Sequence, residues 1–144
     1  MKKLIFTIAA ICGIQGGSIL VAQDIKSSKV PAAVTAALMK KYPVATKITW
    51  EKEKGNYEGN WGGKSGEDMS VTFTPAGAFV EQVEAIKTSA LPATVTKYLQ
   101  AHYKGVKVDE AGKATAANGT ITYEAIVKHK EVVFDAQGNF LKVE

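Results

Sequence analysis

Two segments of the chain carry apolar side chains at every fourth position, which is the spacing of one face of an α-helix. Those positions are Val34, Leu38 and Tyr42 in the first segment and Val95, Leu99 and Tyr103 in the second. Each segment opens on a proline, which is favoured in the first helical turn because its missing N–H would have no partner there. The pattern predicts helices over about residues 31–42 and 92–103.

Short stretches of alternating apolar and polar residues follow each helix and predict four antiparallel strands in each half. The predicted strands span about 46–53, 56–61, 68–74 and 78–84, then 106–117, 120–128, 131–135 and 139–143. Asn118-Gly119 predicts a two-residue hairpin turn in which both residues have positive φ. The expected fold class is α+β, with two tandem repeats of one helix plus a four-stranded antiparallel meander, forming an extended sheet with helices on one face.

The two halves also match in sequence at a fixed offset, which indicates an internal repeat. Residues 31–42 and 92–103 agree at six of twelve positions. The hairpins VTFTPAGAFVEQV (71–83) and VVFDAQGNFLKVE (132–144) match at the same offset. Both predict a type I turn closed by a glycine, and the first lacks the acid of Asp135, so we interpret Asp135 as a turn residue. Repeat one is expected over 30–84 and repeat two over 91–144.

Alternation along the strands sorts side chains into two faces. The face expected under the helices carries Val71, Phe73, Phe79, Val83, Val132, Phe134 and Phe140. We expect the other face to be open to solvent and to bind a partner, with apolar positions in repeat two that are typical of such a surface. Trp61 borders a glycine-rich loop and is expected to be partly exposed as an anchor. The candidate partner-binding residues are Glu58, Trp61, Thr72, Val80, Gln82, Glu124, Val133, Leu141 and Val143.

The first residues have the layout of a secretory signal peptide, with Lys2 and Lys3 before an apolar run over 4–14. That run is too short for a membrane anchor, so we expect cleavage after Ala22, a short linker over 23–29 and a protein in the periplasm or secreted. Cys12, the only cysteine, would leave with this peptide. The mature chain would keep 16 of 18 basic residues against 14 acidic ones. This near-neutral balance argues against a nucleic-acid partner.

The sequence offers little catalytic chemistry. Glu51 and Glu58 are expected on the same face of neighbouring strands, where two carboxylates could act in general acid–base catalysis. No set of nucleophile, base and orienting group accompanies them. His102 and His129 fall in separate places, so neither a metal site nor a cofactor is expected. Three hypotheses stay open: a protein or peptide binder, a small-ligand carrier or sensor near Trp50, Tyr57 and Trp61, and, least favoured, an enzyme.

Three segments, VPAAVTAALMKKYP (30–43), KITWEKEKGNYE (47–58) and VVFDAQGNFLKVE (132–144), resemble the PepSY-like proteins. These are small exported proteins of Gram-negative bacteria whose fold is similar to that of the beta-lactamase inhibitory protein. The resemblance covers 30–144 and implies a non-enzymatic module of the cell envelope, not inserted in the membrane, that binds or inhibits a protein or peptide, such as a peptidase. Repeat two lacks the proline after the helix tyrosine and the strand tryptophan.

Overall fold

The computed structural model describes residues 23–144, so the predicted signal peptide and its cleavage site lie outside the described residues. The chain divides into two compact units between Gln82 and Val83, a point inside strand β5. No helix within residues 23–144 is long and apolar enough to cross a membrane.

The first unit contains one α-helix and the strands that follow it. Its elements are β1 (Gln23–Ile25), a 3₁₀ turn (Ser27–Lys29), α1 (Ala32–Lys41), β2 (Thr49–Glu53), β3 (Asn56–Trp61), β4 (Met69–Phe73) and the first half of β5 (Phe79–Ile86). The strands follow chain order, and β1 to β4 pair antiparallel. β1 was not predicted, because three residues are too few to show a period, and it lies in the segment expected to be a linker.

The second unit has the same order of elements. It contains the second half of β5, a 3₁₀ turn (Thr88–Ala90), α2 (Ala93–His102), β6 (Glu110–Ala116), β7 (Ile121–Val127), β8 (Lys130–Asp135) and β9 (Phe140–Val143). β6 to β9 pair antiparallel in chain order. β6 is shorter than predicted, and Val106 and Val108 pack against the core from the irregular segment before it. The α+β class is confirmed, whereas descent of both units from one duplicated sequence stays a prediction.

Each helix buries its apolar stripe against one side of its own strands. In the first unit Val34 and Leu38 pack with Trp50, Val71 and Phe73. A Cβ at Gly59 would lie 2.7 Å from the Cδ1 atom of Leu38, so the glycine in β3 allows the helix to approach the strands closely. In the second unit the equivalent core is formed by Val95, Leu99, Ala125, Val132 and Phe134. The predicted stripes therefore do form the helix-covered core, where each large side chain contributes about 1.5–3 kcal/mol by burial.

The matching hairpins rest on the first turn of the helix in their own unit. Gly77 and Gly138 both have a φ of +82°, and a Cβ at Gly77 would lie 2.6 Å from the carbonyl oxygen of Ala33. A Cβ at Gly138 would overlap Thr94 in α2. The backbone N–H groups of Gln137 and Asn139 donate to the Asp135 carboxylate at 2.9 and 2.8 Å. Asp135 therefore stabilises the turn, as its position in the sequence suggested.

The turn at Asn118-Gly119 occurs where predicted but belongs to another type. Only Gly119 has positive φ, at +84°, and the N–H of Gly119 donates to the carbonyl of Ala116. The N–H of Thr120 donates to the Asn118 side chain at 2.9 Å. This hydrogen bond holds the asparagine in a three-residue loop, so the expectation of two residues with positive φ was wrong here. Two consecutive residues with positive φ are found instead at Lys128 and His129.

Candidate binding surface

The strands of each unit present a second side, turned away from the helix, whose chemistry differs from that of the core. We call it the outer side. In the first unit Glu51 lies directly opposite Glu58, and Glu58 lies opposite Thr72. Asn60 and Ser70 form the next pair. The outer side of the first unit is therefore polar throughout β3 and β4, whereas the helix side is apolar.

Three further glutamates act electrostatically on Glu58 on this polar side. We name Glu51, Glu53, Glu58 and Glu81 the Glu58 cluster, and each is at most 9% exposed. Burial raises the pKa of Glu58 from 4.5 to about 7, a hydrogen bond from Ser70 opposes this shift, and the charges of the other three glutamates add to it. Because those charges act on Glu58, the four carboxylates lie near one another.

Glu58 itself has an incomplete set of hydrogen bonds. The Ser70 hydroxyl donates to Oε1 of Glu58. The other oxygen, Oε2, is buried and receives no hydrogen bond from any residue of the described chain. A buried carboxylate oxygen without a donor is costly, since water no longer solvates it. This cost and the neighbouring carboxylates both favour the protonated form of Glu58.

The second unit carries its own acidic positions on the outer side. Glu124 lies between Gly112 and Val133, and Ile126 lies between Glu110 and Glu131. Glu124 and Val133 are fully buried.

The outer side is far less accessible than the sequence suggested. Of the candidate residues, Glu58, Thr72, Glu124 and Val133 lie on the outer side as predicted, but all four are buried rather than open to solvent. Each lies on an interior strand, where residues on two neighbouring strands flank it. Alternation predicts the face of a residue, whereas its exposure also depends on these neighbours.

Residues near the two hairpins occupy the opposite side from the one expected. Phe134 pairs with Phe140, whereas Val133 pairs with Lys142, so Leu141 is one extra residue in β9. Such a bulge flips every following side chain, which places Val143 opposite Val132 on the helix side. Leu141 at the bulge is 46% exposed.

The same change of side occurs in β5. The Tyr42 hydroxyl donates to Oε1 of Gln82 at 2.5 Å, so Gln82 lies on the helix side and Glu81 takes the outer position. By alternation Val83, which was expected in the helix-covered core, lies on the outer side. Val80 is half-buried. No pattern in the sequence signalled Glu81, because strict alternation assigned it to the core.

The predicted exposure of Trp61 was wrong. Trp61 belongs to the core of the first unit, with its ring centroid 5.1 Å from that of Tyr42 and only 9% of the residue exposed. It shares the parity of Tyr57 and Gly59, which face α1. Trp50 is likewise buried, so both tryptophans act in packing.

The acidic residues do not form a metal centre. Among residues 23–144, no three side chains of His, Cys, Asp or Glu converge in a way that could hold a metal ion. The Nδ1–H of His102 donates a hydrogen bond to the carbonyl of Tyr98 at 2.9 Å, and the imidazole ring stacks on the ring of that tyrosine. His129 lies in the β7–β8 turn.

Comparison with known proteins relates the chain to structures from Bacteroides. A proposed periplasmic protein of Bacteroides eggerthii shares 22% identity with a TM-score of 0.70, covering 80% of this chain and 88% of that one. A DUF2874 family protein of Bacteroides uniformis shares 21% identity with a TM-score of 0.68, over 79% and 88%. A BLIP-like protein of Bacteroides fragilis shares 25% identity with a TM-score of 0.60, over 79% and 85%.

These similarities show a fold like that of BLIP-like proteins, named after the beta-lactamase inhibitory protein. No protein-family model matches the chain. No curated protein sequence matches it either. The PepSY-like resemblance therefore stays a prediction, while the fold it implied is supported.

Proposed function

We propose that this protein is a non-enzymatic binding module of the periplasm that takes a protein or peptide partner on the outer side of its strands. The observation that carries the proposal is the contrast between the two sides of the first unit. The helix side forms an apolar core, whereas the outer side places Glu51, Glu53, Glu58 and Glu81 near one another. Grouping buried carboxylates costs folding free energy even where partners offset part of that cost. We therefore attribute their grouping on one side to recognition of a partner.

Two further observations support this assignment. The structurally similar proteins include ones described as periplasmic and one described as BLIP-like. The Ser70 hydroxyl donates a hydrogen bond to Glu58 beside the paired Glu51, but both Ser70 and Glu58 are buried. An accessible set of nucleophile, base and orienting group is not found in the described residues, so binding fits the site better than turnover. Inhibition of a peptidase is one form that such binding would take.

The proposal is tested by selecting peptides from a random display library against the purified protein. Wild type should enrich peptides that a Glu58→Gln/Glu124→Gln double variant no longer retains, because both substitutions keep side-chain shape and replace an outer-side carboxyl group by an amide. Lys40→Gln, on the exposed surface of α1, is the matched control and should retain the same peptides. If no enriched peptide distinguishes the double variant from wild type, the outer side is not the binding surface.

The same peptides test the non-enzymatic part of the proposal. A selected peptide incubated with wild type should be recovered intact by mass spectrometry. Cleavage that disappears in Glu51→Gln or Glu58→Gln would instead assign the paired carboxylates to catalysis.

A further inference from the structure

We propose that the exposed side of α1 and the loop after it bind the surface of an anionic phospholipid membrane. We name Met39, Lys40, Val44 and Lys47 the α1 patch. All four residues are exposed. They lie at the end of α1 and in the loop that follows it, and the outer side of the strands is turned away from this helix. The proposal goes beyond the proposed function and does not rest on it.

The exposed side of α1 is more apolar than is usual for a helix on a protein surface. Its exposed residues are three alanines, Met39, Lys40 and Lys41. An amphipathic helix normally carries acidic and neutral polar residues opposite its buried stripe, and these six residues include neither. Met39 is 45% exposed, and Val44, just past the end of the helix, is 86% exposed. These two side chains place apolar surface at one end of α1.

The second helix shows that the fold does not require an apolar exposed side. α1 and α2 are both 10 residues long, and each buries a valine and a leucine at the same two positions. At the fifth and eighth positions α1 has Ala36 and Met39, whereas α2 has Lys97 and Gln100, and all four are exposed. Polar residues are therefore compatible with these positions, so fold stability does not explain the apolar residues of α1.

The charge around the α1 patch is entirely positive along the chain. Residues 25–50 contain no acidic residue, although the whole chain has 14, and they contain the lysines Lys26, Lys29, Lys40, Lys41 and Lys47. Lys40 and Lys41 in the last helical turn suit the helix dipole, but this effect does not account for the three lysines outside the helix. Neither Lys40 nor Lys47 forms an ion pair with a carboxylate of residues 23–144.

An anionic membrane surface matches this combination of side chains. Lysines near such a surface are attracted to its lipid headgroups over about one Debye length. Apolar side chains beside them enter the boundary between headgroups and acyl chains, while the long lysine stems keep the ammonium groups among the headgroups. The α1 patch supplies both contributions, since Met39 and Val44 lie between Lys40 and Lys47 or directly beside them in the chain.

Two other occupants fit the α1 patch less well. A second copy of the chain would place lysines against lysines, and like charges across an interface repel. Protein–protein interfaces are enriched in aromatic residues and arginine and depleted in lysine. The chain contains no arginine, and the α1 patch contains no aromatic residue. The composition of the patch is therefore closer to that of a membrane-surface site.

Sedimentation of the exported protein with lipid vesicles tests the proposal. Wild type should bind vesicles of phosphatidylglycerol and phosphatidylcholine in equal parts, and it should not bind vesicles of phosphatidylcholine alone. Binding should be lost at about 1 M sodium chloride, where charges are screened beyond ~3 Å. Absence of binding to the anionic vesicles, equal binding to both kinds of vesicle, or binding that salt does not weaken would overturn the proposal.

Variants measure the two contributions separately. Lys40→Gln/Lys47→Gln should weaken binding to the anionic vesicles on the order of 30-fold, since two attracted charges are lost. Met39→Gln/Val44→Ser should weaken it on the order of tenfold, since less apolar surface enters the membrane boundary. Equal affinity of wild type and either variant would contradict the proposed role of the patch.

Lys64→Gln/Lys128→Gln is the matched control for the lysine variant. It removes the same charge from two exposed residues outside the patch, and Lys128 has a positive φ as Lys47 does. This variant should bind the anionic vesicles as wild type does. A loss as large as that of Lys40→Gln/Lys47→Gln would show that net charge alone attracts the protein, which would overturn the assignment to the α1 patch.

Two further measurements detect the other occupants. Polyglutamate that binds wild type as tightly as the anionic vesicles do, and does not bind Lys40→Gln/Lys47→Gln, would assign the patch to an acidic protein. A dimer in sedimentation velocity that Met39→Gln/Val44→Ser abolishes would assign it to a second copy of the chain. Either result would overturn the assignment to a membrane surface.

Discussion

The hydroxyl of Thr94 donates a 2.8 Å hydrogen bond to the backbone carbonyl of Gln137. This bond joins the first turn of α2 to the turn between β8 and β9. Gly138, the next residue, lies so close to Thr94 that no side chain fits there. The β8–β9 hairpin therefore packs against the first turn of α2 and stabilises it. The close approach of Gly77 to Ala33 has the same role for α1 in the first unit.

Gly138→Ala should destabilise the protein more than Gly119→Ala. Both glycines have positive φ, near +83° on average, so each alanine adds about 1–2 kcal/mol of backbone strain. At Gly119 no atom lies within 4 Å of the new Cβ, whereas at Gly138 it meets Thr94. Urea unfolding followed by circular dichroism gives both free energies of unfolding. Equal losses would show that the helix and the hairpin are not in close contact.

Thr94 and Gly138 should be energetically coupled. Thr94→Ala alone removes the hydrogen bond to Gln137 and should cost about 0.5–1.5 kcal/mol. In the Gly138→Ala background the same substitution also removes the atom that collides with the new methyl group, so it should cost less or become stabilising. A double-mutant cycle measures this difference. Additive effects of the two substitutions would contradict the packing described for this turn.

Tyr42→Phe should weaken the fold, while Tyr103→Phe should have little effect. The Tyr42 hydroxyl is the donor to Gln82, and its loss leaves that side chain without its helix-side partner, at a cost of about 1 kcal/mol. Tyr103 follows α2 as Tyr42 follows α1, and no hydrogen bond of its hydroxyl is present among the described residues. Thermal unfolding of both variants provides the comparison. A larger loss for Tyr103→Phe would contradict the assigned role of Gln82.

The stability of the protein should fall as pH rises through the window from about 4.5 to 7. The pKa of Glu58 is raised on folding, so the folded state binds the proton more tightly than the unfolded state does. Its contribution is fully present below the unfolded pKa of 4.5 and is lost by about pH 7. The predicted loss from this group is about 3 kcal/mol. The free energy of unfolding of Glu58→Gln should not show this part of the decrease with pH.

Urea unfolding of wild type and Glu58→Gln across this pH range provides the measurement. The difference between the two curves isolates Glu58 from the other titrating groups, since those groups remain in both proteins. Parallel curves would mean that Glu58 is not buried as a neutral acid.

Sequence periodicity was sufficient for both helices and for the strands β2 to β9, but not for the short strand β1. The repeats of Val34 and Leu38, and of Val95 and Leu99, identified both helices and the sides they cover. Periodicity did not assign the side chains next to the hairpins to the correct side of the strands. The extra residue Leu141 shifts the alternation by one position, and no local composition marks such a shift.

The candidate surface was predicted only in part for the same reason. Glu58 and Thr72 were correctly placed, since β3 and β4 are regular. Glu81 was missed because it follows a hairpin. The raised pKa of Glu58 could not be predicted either, because it depends on burial and on three carboxylates that come from two other strands.

The extra residue at Leu141 affects the self-association of this protein. β9 is the last strand in the order, and Phe140, Leu141 and Val143 on it are each at least 40% exposed. A straight apolar strand in this position would template the addition of a strand from another copy. The bulge bends the strand and interrupts its row of backbone donors and acceptors, so the same irregularity that reassigns the faces also protects the chain against edge-to-edge aggregation.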